Sequence, residues 1–371
     1  MSLSKKIFIF SSILLGIMLV FLGIYNFVFR ANSSRSYKVP VSMENLSSTP
    51  AASSKPTEKI YALSKERIVS PVLSSDGNGI MYYSLQGNFT RLDIKSAAER
   101  KISEDKIDGL RSIIWAPDGK NAILKANSGG KNSFILYGLE NGTKTNLKSG
   151  IDYVAWTNLG DKIIYKYFDS ASLKRSVNIA NPDGSNWKKL ADVSWRSVFL
   201  STVPGTFFIS FWNAPNAYEE TSLETVSLTG EDIKKIFSGR FGADYLWSPD
   251  GGKVLISSSD ASGGSKTLLA VASKSGGEYQ NLEVPTLVSK CVWAEDSQNV
   301  YCALPNSIPE GSVMPNDYQD GKFNTKDTFW KINVLNGKKE RIVELSDIKS
   351  DYDAANLFLS SSAAIRLRLI F

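Results

Sequence analysis

The chain of 371 residues contains two cysteines and no histidine, which narrows the chemistry open to it. Lack of imidazole removes Ser-His-Asp and Cys-His nucleophile pairs, imidazole metal sites and the usual general base. No G-x-S-x-G elbow, phosphate-binding loop or dinucleotide fingerprint occurs. Carboxylates alone could serve glycoside or lyase chemistry, but no spacing in the chain defines such a pair. Cys291 and Cys302 flank a turn, and in the register that pairs Trp293 with Val300 they face each other. Two readings follow, a pair of buried thiols or a cross-strand disulfide, and an oxidising compartment favours the disulfide. Asn316 to Asp327, "NDYQDGKFNTKD", sets Asp320, Gly321, Asn324 and Asp327 at positions a calcium loop would use. Tyr318 stands where an oxygen ligand is needed, and a short Asp ends a loop that requires a bidentate Glu. No metal and no cofactor is expected.

The elements that position these residues recur along the chain. "IIWAPDGKNAILKA" at 113–126 and "YLWSPDGGKVLISSS" at 245–259 place Trp, Pro and Asp-Gly between two short apolar runs. Weaker copies extend the series, with anchors at Leu73, Trp115, Trp156, Leu200, Trp247, Trp293 and Leu359. Their spacings are 42, 41, 44, 47, 46 and 66 residues, and all but the last suit one four-stranded propeller blade. Each copy closes with a second hairpin whose Asn-Gly, Asp-Gly or Gly-Gly turn supplies positive φ. A unit therefore reads as four strands, A to D from the inside out. A β-sandwich is the alternative fold, but it predicts neither regular spacing nor a recurring tryptophan.

The chain resembles the WD40-like, TolB-type propeller repeat, whose blade opens on W-S-P-D-G. Trp247 to Gly251 match it fully, and Trp115 to Gly119 match with Ala116 in place of Ser. The resemblance implies an all-β propeller of six or seven four-stranded blades over 58–371. It implies fold and hardly any function, since related propellers serve as protein-binding platforms and as substrate-gating domains beside peptidases. Twelve residues follow Leu359, too few for a seventh blade. The ring is therefore either seven-bladed with a three-stranded closure or six-bladed with its C-terminal part packed differently. Glu58 to Ile68, "EKIYALSKERI", is read as the outer strand of the closing blade.

Ile7 to Phe29 is an uncharged run of 23 residues, about 35 Å long as a helix and enough to span a bilayer. A cleaved signal peptide would have a shorter apolar core and a small-residue cleavage site. Residues 1–30 thus read as an N-terminal transmembrane anchor and 31–57, rich in Ser, Pro and Ala, as a flexible stalk. Lys5 and Lys6 precede the span, while Arg30, Arg35 and Lys38 follow it, so charge alone does not orient it. A six-residue head stays in the cytoplasm more readily than a long domain does, which places the propeller outside the membrane. The net charge is +6, of which +4 lies in the first 58 residues. A nearly neutral domain offers nucleic acid no footprint.

Function is accordingly expected to be protein–protein interaction without catalysis, with a partner in a membrane or envelope complex. The alternative is an accessory domain for carbohydrate or peptide processing that uses carboxylates on the loop face. A–B and C–D turns share one face of a propeller; B–C and D–A connections share the other. The turns are short, and the long B–C loops fall in the fourth, fifth and sixth copies. Trp212, Asn213, Tyr218, Asp317, Tyr318 and Phe323 are therefore the contact candidates.

Overall fold

The computed structural model describes residue 60, residues 62–64 and residues 66–360. The expected anchor, the stalk and the last eleven residues lie outside them. Among the described residues no helix is long and apolar enough to cross a membrane.

Six four-stranded antiparallel sheets follow one another along the chain. Blade 1 comprises β1 (Ile68–Leu73), β2 (Gly79–Ser84), β3 (Phe89–Asp93) and β4 (Glu99–Ser103). Blade 2 comprises β5 (Leu110–Trp115), β6 (Asn121–Ser128), β7 (Lys131–Gly138) and β8 (Lys144–Asn146). Blade 3 comprises β9 (Ile151–Trp156), β10 (Ile163–Asp169), β11 (Lys174–Ala180) and β12 (Lys188–Val193). Blade 4 comprises β13 (Val198–Thr202), β14 (Phe208–Asn213), β15 (Glu220–Ser227) and β16 (Lys234–Phe241). Blade 5 comprises β17 (Asp244–Trp247), β18 (Lys253–Ser259), β19 (Thr267–Ser273) and β20 (Gln280–Asn281). Blade 6 comprises β21 (Cys291–Trp293), β22 (Asn299–Pro305), β23 (Asp327–Asn333) and β24 (Lys339–Arg341), with a one-turn helix α1 (Asn316–Gln319) inside its B–C insertion.

The recurring tryptophan ties blades 2, 3, 5 and 6 each to the blade before it. Trp115 Nε1 donates to the Ser70 carbonyl at 2.7 Å, Trp156 to that of Ile114 at 2.9 Å, and Trp293 to that of Leu246 at 3.1 Å. Trp247 reaches the Ser210 hydroxyl at 2.8 Å. A buried indole needs an acceptor, and the two inner strands of the neighbouring blade supply one. The Asp-Gly turn is equally constrained: Asp250 accepts from Ser248 Oγ and the Gly252 N–H, and Gly251 adopts φ +64°. A Cβ on Gly251 would lie 2.2 Å from the Pro204 carbonyl oxygen, so the turn also needs glycine for close approach.

The core lies between blades. Leu255, Leu269 and Val271 of blade 5, for example, pack against Trp293, Val300 and Ile332 of blade 6. Cys291 faces Cys302 across β21 and β22, and the two form a disulfide in that cluster.

Six blades decide the open count, and two expectations are corrected. Leu359 opens no blade; residues 348–360 run without strand, and Leu359 packs on the blade 6 cluster around Tyr301 and Phe329. The described residues before Ile68 form no outer strand either, and β24 already fills that place. Ile60 packs on the blade 6 cluster and Leu63 on that of blade 1. Ser360 Oγ donates to the Gly77 carbonyl at 3.2 Å. Irregular chain, rather than an exchanged strand, therefore bridges blades 6 and 1.

Candidate functional site

Three B–C connections share one face: 214–219, 260–266 and 306–326. They are bonded to one another. The Ala217 N–H donates to Asn316 Oδ1 at 2.8 Å, and Asn316 Nδ2 donates to Asn216 Oδ1 at 3.0 Å. The Gly263 N–H donates to the Ala217 carbonyl at 2.8 Å, and the Met314 N–H to that of Gly264 at 2.9 Å. The Ser259 hydroxyl donates to the Met314 carbonyl. The insertion thus reaches back over blade 5 to blade 4. Gly242 leaves room for it, since a Cβ there would stand 2.7 Å from Pro315 Cδ.

The contact candidates divide. Tyr218 is 60% exposed, and Phe323 is partly exposed with its ring 6.0 Å from that of Tyr318. Trp212 and Asn213 are buried, at 4% and 5%. Trp212 packs edge-on against Phe199 and Tyr245, and Asn213 holds the loop by donating to the Glu220 carbonyl and accepting from the Ser222 N–H. These two shape the loop from beneath and offer a partner no surface. Asp317 accepts from Lys322 Nζ at 2.6 Å and the Val313 N–H at 2.8 Å, bonds that hold its carboxyl below the usual range. Asp327, the last residue of the calcium-like spacing, is paired with Lys290 at 2.8 Å.

Beneath the insertion lies a buried charge cluster that the sequence does not announce. Lys290, 1% exposed, donates to Thr325 Oγ1, Asp327 Oδ2, Asp353 Oδ1 and the Ala354 carbonyl at 2.7 to 3.0 Å. Burial opposes its charge, but Asp327 and Asp353 outweigh that and raise its pKa above an ordinary lysine. Tyr318 sets its ring 4.7 Å from Nζ and its hydroxyl 2.7 Å from Asp353 Oδ1; burial pushes that hydroxyl to about 12. Lys290 therefore clamps the insertion, β23 and the C-terminal segment to the start of blade 6.

The central channel opens on the same face. One residue before each anchor the inner strands carry Val72, Ile114, Ala155, Phe199, Leu246 and Val292, all partly exposed and apolar. Three residues before it stand Ser70, Ser112, Tyr153, Ser197, Asp244 and Lys290, polar positions nearer the loop side, with Ser197 and Lys290 just ahead of their strands. Asp244 Oδ1 accepts from Trp212 Nε1 at 2.9 Å and the Tyr245 N–H at 3.0 Å. Desolvation outweighs both bonds and pushes its carboxyl up to about 6, although the side chain is partly exposed. A confined channel reconciles these facts, because water reaches the carboxylate without hydrating it as bulk solvent would. Aligning the copies on their anchors and asking which charged residue stands three places before an anchor would have picked out Asp244 and Lys290.

Grooves occur on both faces. Lys266, Pro285, Pro305, Ile308, Pro309 and Glu310 line one of about 510 Å³ beside the insertion. On the turn face, Leu159 and Phe207, 77% and 78% exposed, border one of about 460 Å³ between blades 3 and 4. The turn face is therefore not uniformly tight, contrary to the expectation from its short turns.

No family model matches the chain, and no curated protein matches it. Solved structures do. An oligogalacturonate lyase from Vibrio parahaemolyticus aligns with TM-score 0.54 and 11% identity over 79% of this chain and 83% of its own. An uncharacterised protein of Listeria monocytogenes aligns with TM-score 0.52 and 14% identity over 76% and 84%. The TolB of Agrobacterium tumefaciens aligns with TM-score 0.46 and 18% identity over 59% and 81%. At such identities the likeness is one of fold: the chain is a six-bladed β-propeller of four-stranded blades.

Proposed function

We propose that this protein is a membrane-tethered interaction platform that presents its loop face to a protein partner of a membrane or envelope complex. The observation that carries the reading is the bonded union of three long loops from blades 4, 5 and 6. Ordering them in advance lowers the entropic cost of binding. Tyr218, Phe323 and the groove at Ile308 and Pro309 give that surface aromatic and apolar anchors. The apolar run at 7–29 supplies the tether, and the Cys291–Cys302 disulfide suits an oxidising compartment outside the cytoplasm.

Two experiments test this. Alanine at Tyr218, Ile308 and Phe323 together should abolish in-cell crosslinking to the partner, whereas alanine at Leu159 and Phe207 should leave it intact. The reverse pattern would move the interface to the turn face. A protease added to intact cells should remove the propeller, and protection until the membrane is broken would refute the orientation.

A further inference from the structure

We propose that the loop-side mouth of the channel binds an organic cation, a guanidinium or primary ammonium group, with Asp244 as its counter-ion. The inference refines the platform reading by naming what the face receives, and it rests on the face rather than on any one partner.

Pairing is the first argument. The two buried lysines have partners: Lys166 is held by Asp152, and Lys290 by Asp327 and Asp353. Asp244 forms no ion pair among the described residues, and both of its hydrogen bonds end on Oδ1. Oδ2 accepts no hydrogen bond from the described residues. An incompletely hydrated carboxylate without a basic partner gains most from a cation brought to it.

The walls select the kind of cation. Tyr153 and Phe199 stack with centroids 5.5 Å apart, and Trp212 meets Phe199 edge-on at 6.0 Å while its N–H fixes Asp244. Leu246 and Val292 extend the apolar ring one level further in. Aromatic faces attract weakly hydrated organic cations, guanidinium above all. A hard metal ion would need several oxygens in place of its water, and no group of three acidic, cysteine or histidine side chains converges among the described residues. Lys290 does not repel the guest, because two carboxylates outweigh its single charge.

Titration calorimetry of the whole protein with Nα-acetyl-arginine methylamide tests the site. One equivalent should bind, and the citrulline analogue, equal in shape but neutral, should bind at least about tenfold more weakly. Asp244→Asn should lose at least about tenfold in affinity for the arginine probe. Leu159→Ala, on the opposite face, should change nothing. Equal binding of citrulline, full affinity in Asp244→Asn, stoichiometric displacement by calcium chloride, or no heat up to about 10 mM probe would each overturn the proposal. An arginine tetrapeptide that binds about tenfold tighter than the capped residue assigns the cation to a protein partner; equal affinity assigns it to a free small molecule. Loop-face crosslinking that persists in Asp244→Asn separates failure of this site from failure of the platform.

Discussion

Replacing Asp244 by Asn should make the protein more stable, by a margin that grows from about pH 4 and is complete above about pH 6. Its carboxyl is pushed from an ordinary 3.8 to about 6 by desolvation. The folded state therefore binds the proton more tightly than the unfolded chain, and stability falls as pH rises between those values. Above them the whole cost of a desolvated charge is present. A shift of about two units corresponds to roughly 3 kcal/mol, and channel water screens part of it, leaving about 1–2 kcal/mol. Asparagine keeps the acceptor for Trp212 Nε1 and the Tyr245 N–H while removing the ionisation. Urea unfolding of both proteins at pH 7.5 and pH 4 measures the effect. The variant should gain about 1–2 kcal/mol at the higher pH and nothing at the lower. Equal stability at pH 7.5, or a gain that ignores pH, would refute the placement of Asp244 in a poorly hydrated channel. A stability gain joined to lost cation binding would identify a carboxylate kept for function at a cost to the fold.

Three further outcomes are expected. Peptide mass spectrometry without reduction should find Cys291 and Cys302 linked, and reducing them should cost about 2 kcal/mol in urea unfolding; free thiols in protein from its native compartment would contradict the bond. Lys290→Met leaves Asp327 and Asp353 without their cation and should destabilise by about 3–5 kcal/mol; a loss under about 1 kcal/mol would contradict the clamp. Gly251→Ala puts a Cβ into the Pro204 carbonyl at a positive φ and should lower the melting temperature by several degrees, whereas the same change at exposed, uncrowded Gly321 should cost less.

Blade architecture was legible because local chemistry repeats it. Trp115, Trp156, Trp247 and Trp293 mark blades through the same indole-to-neighbour bond, and the Asp-Gly turns fix the hairpins between them. Leu359 misled because an apolar residue before a serine run imitates a degraded anchor, although no turn residue follows to close a hairpin. The loop face was legible from loop length, which topology converts into position. Trp212 was not: its aromatic type suits a contact as well as a core, and only the fold shows its ring turned between blades 4 and 5. Leu159 and Phe207 escaped notice because short turns suggest a closed surface whatever side chain they carry. The Lys290 cluster depends on Asp353 returning from 63 residues away, a distance no local pattern encodes.

The central claim is that the loop face meets a protein partner. A photo-crosslinking amino acid placed singly at Tyr218, Ile308, Leu159 or Phe207 in the native cell tests it most directly. Crosslinks to one protein species from Tyr218 and Ile308, with none from Leu159 and Phe207, are predicted. Crosslinks confined to Leu159 and Phe207, or absent from all four positions, would contradict it.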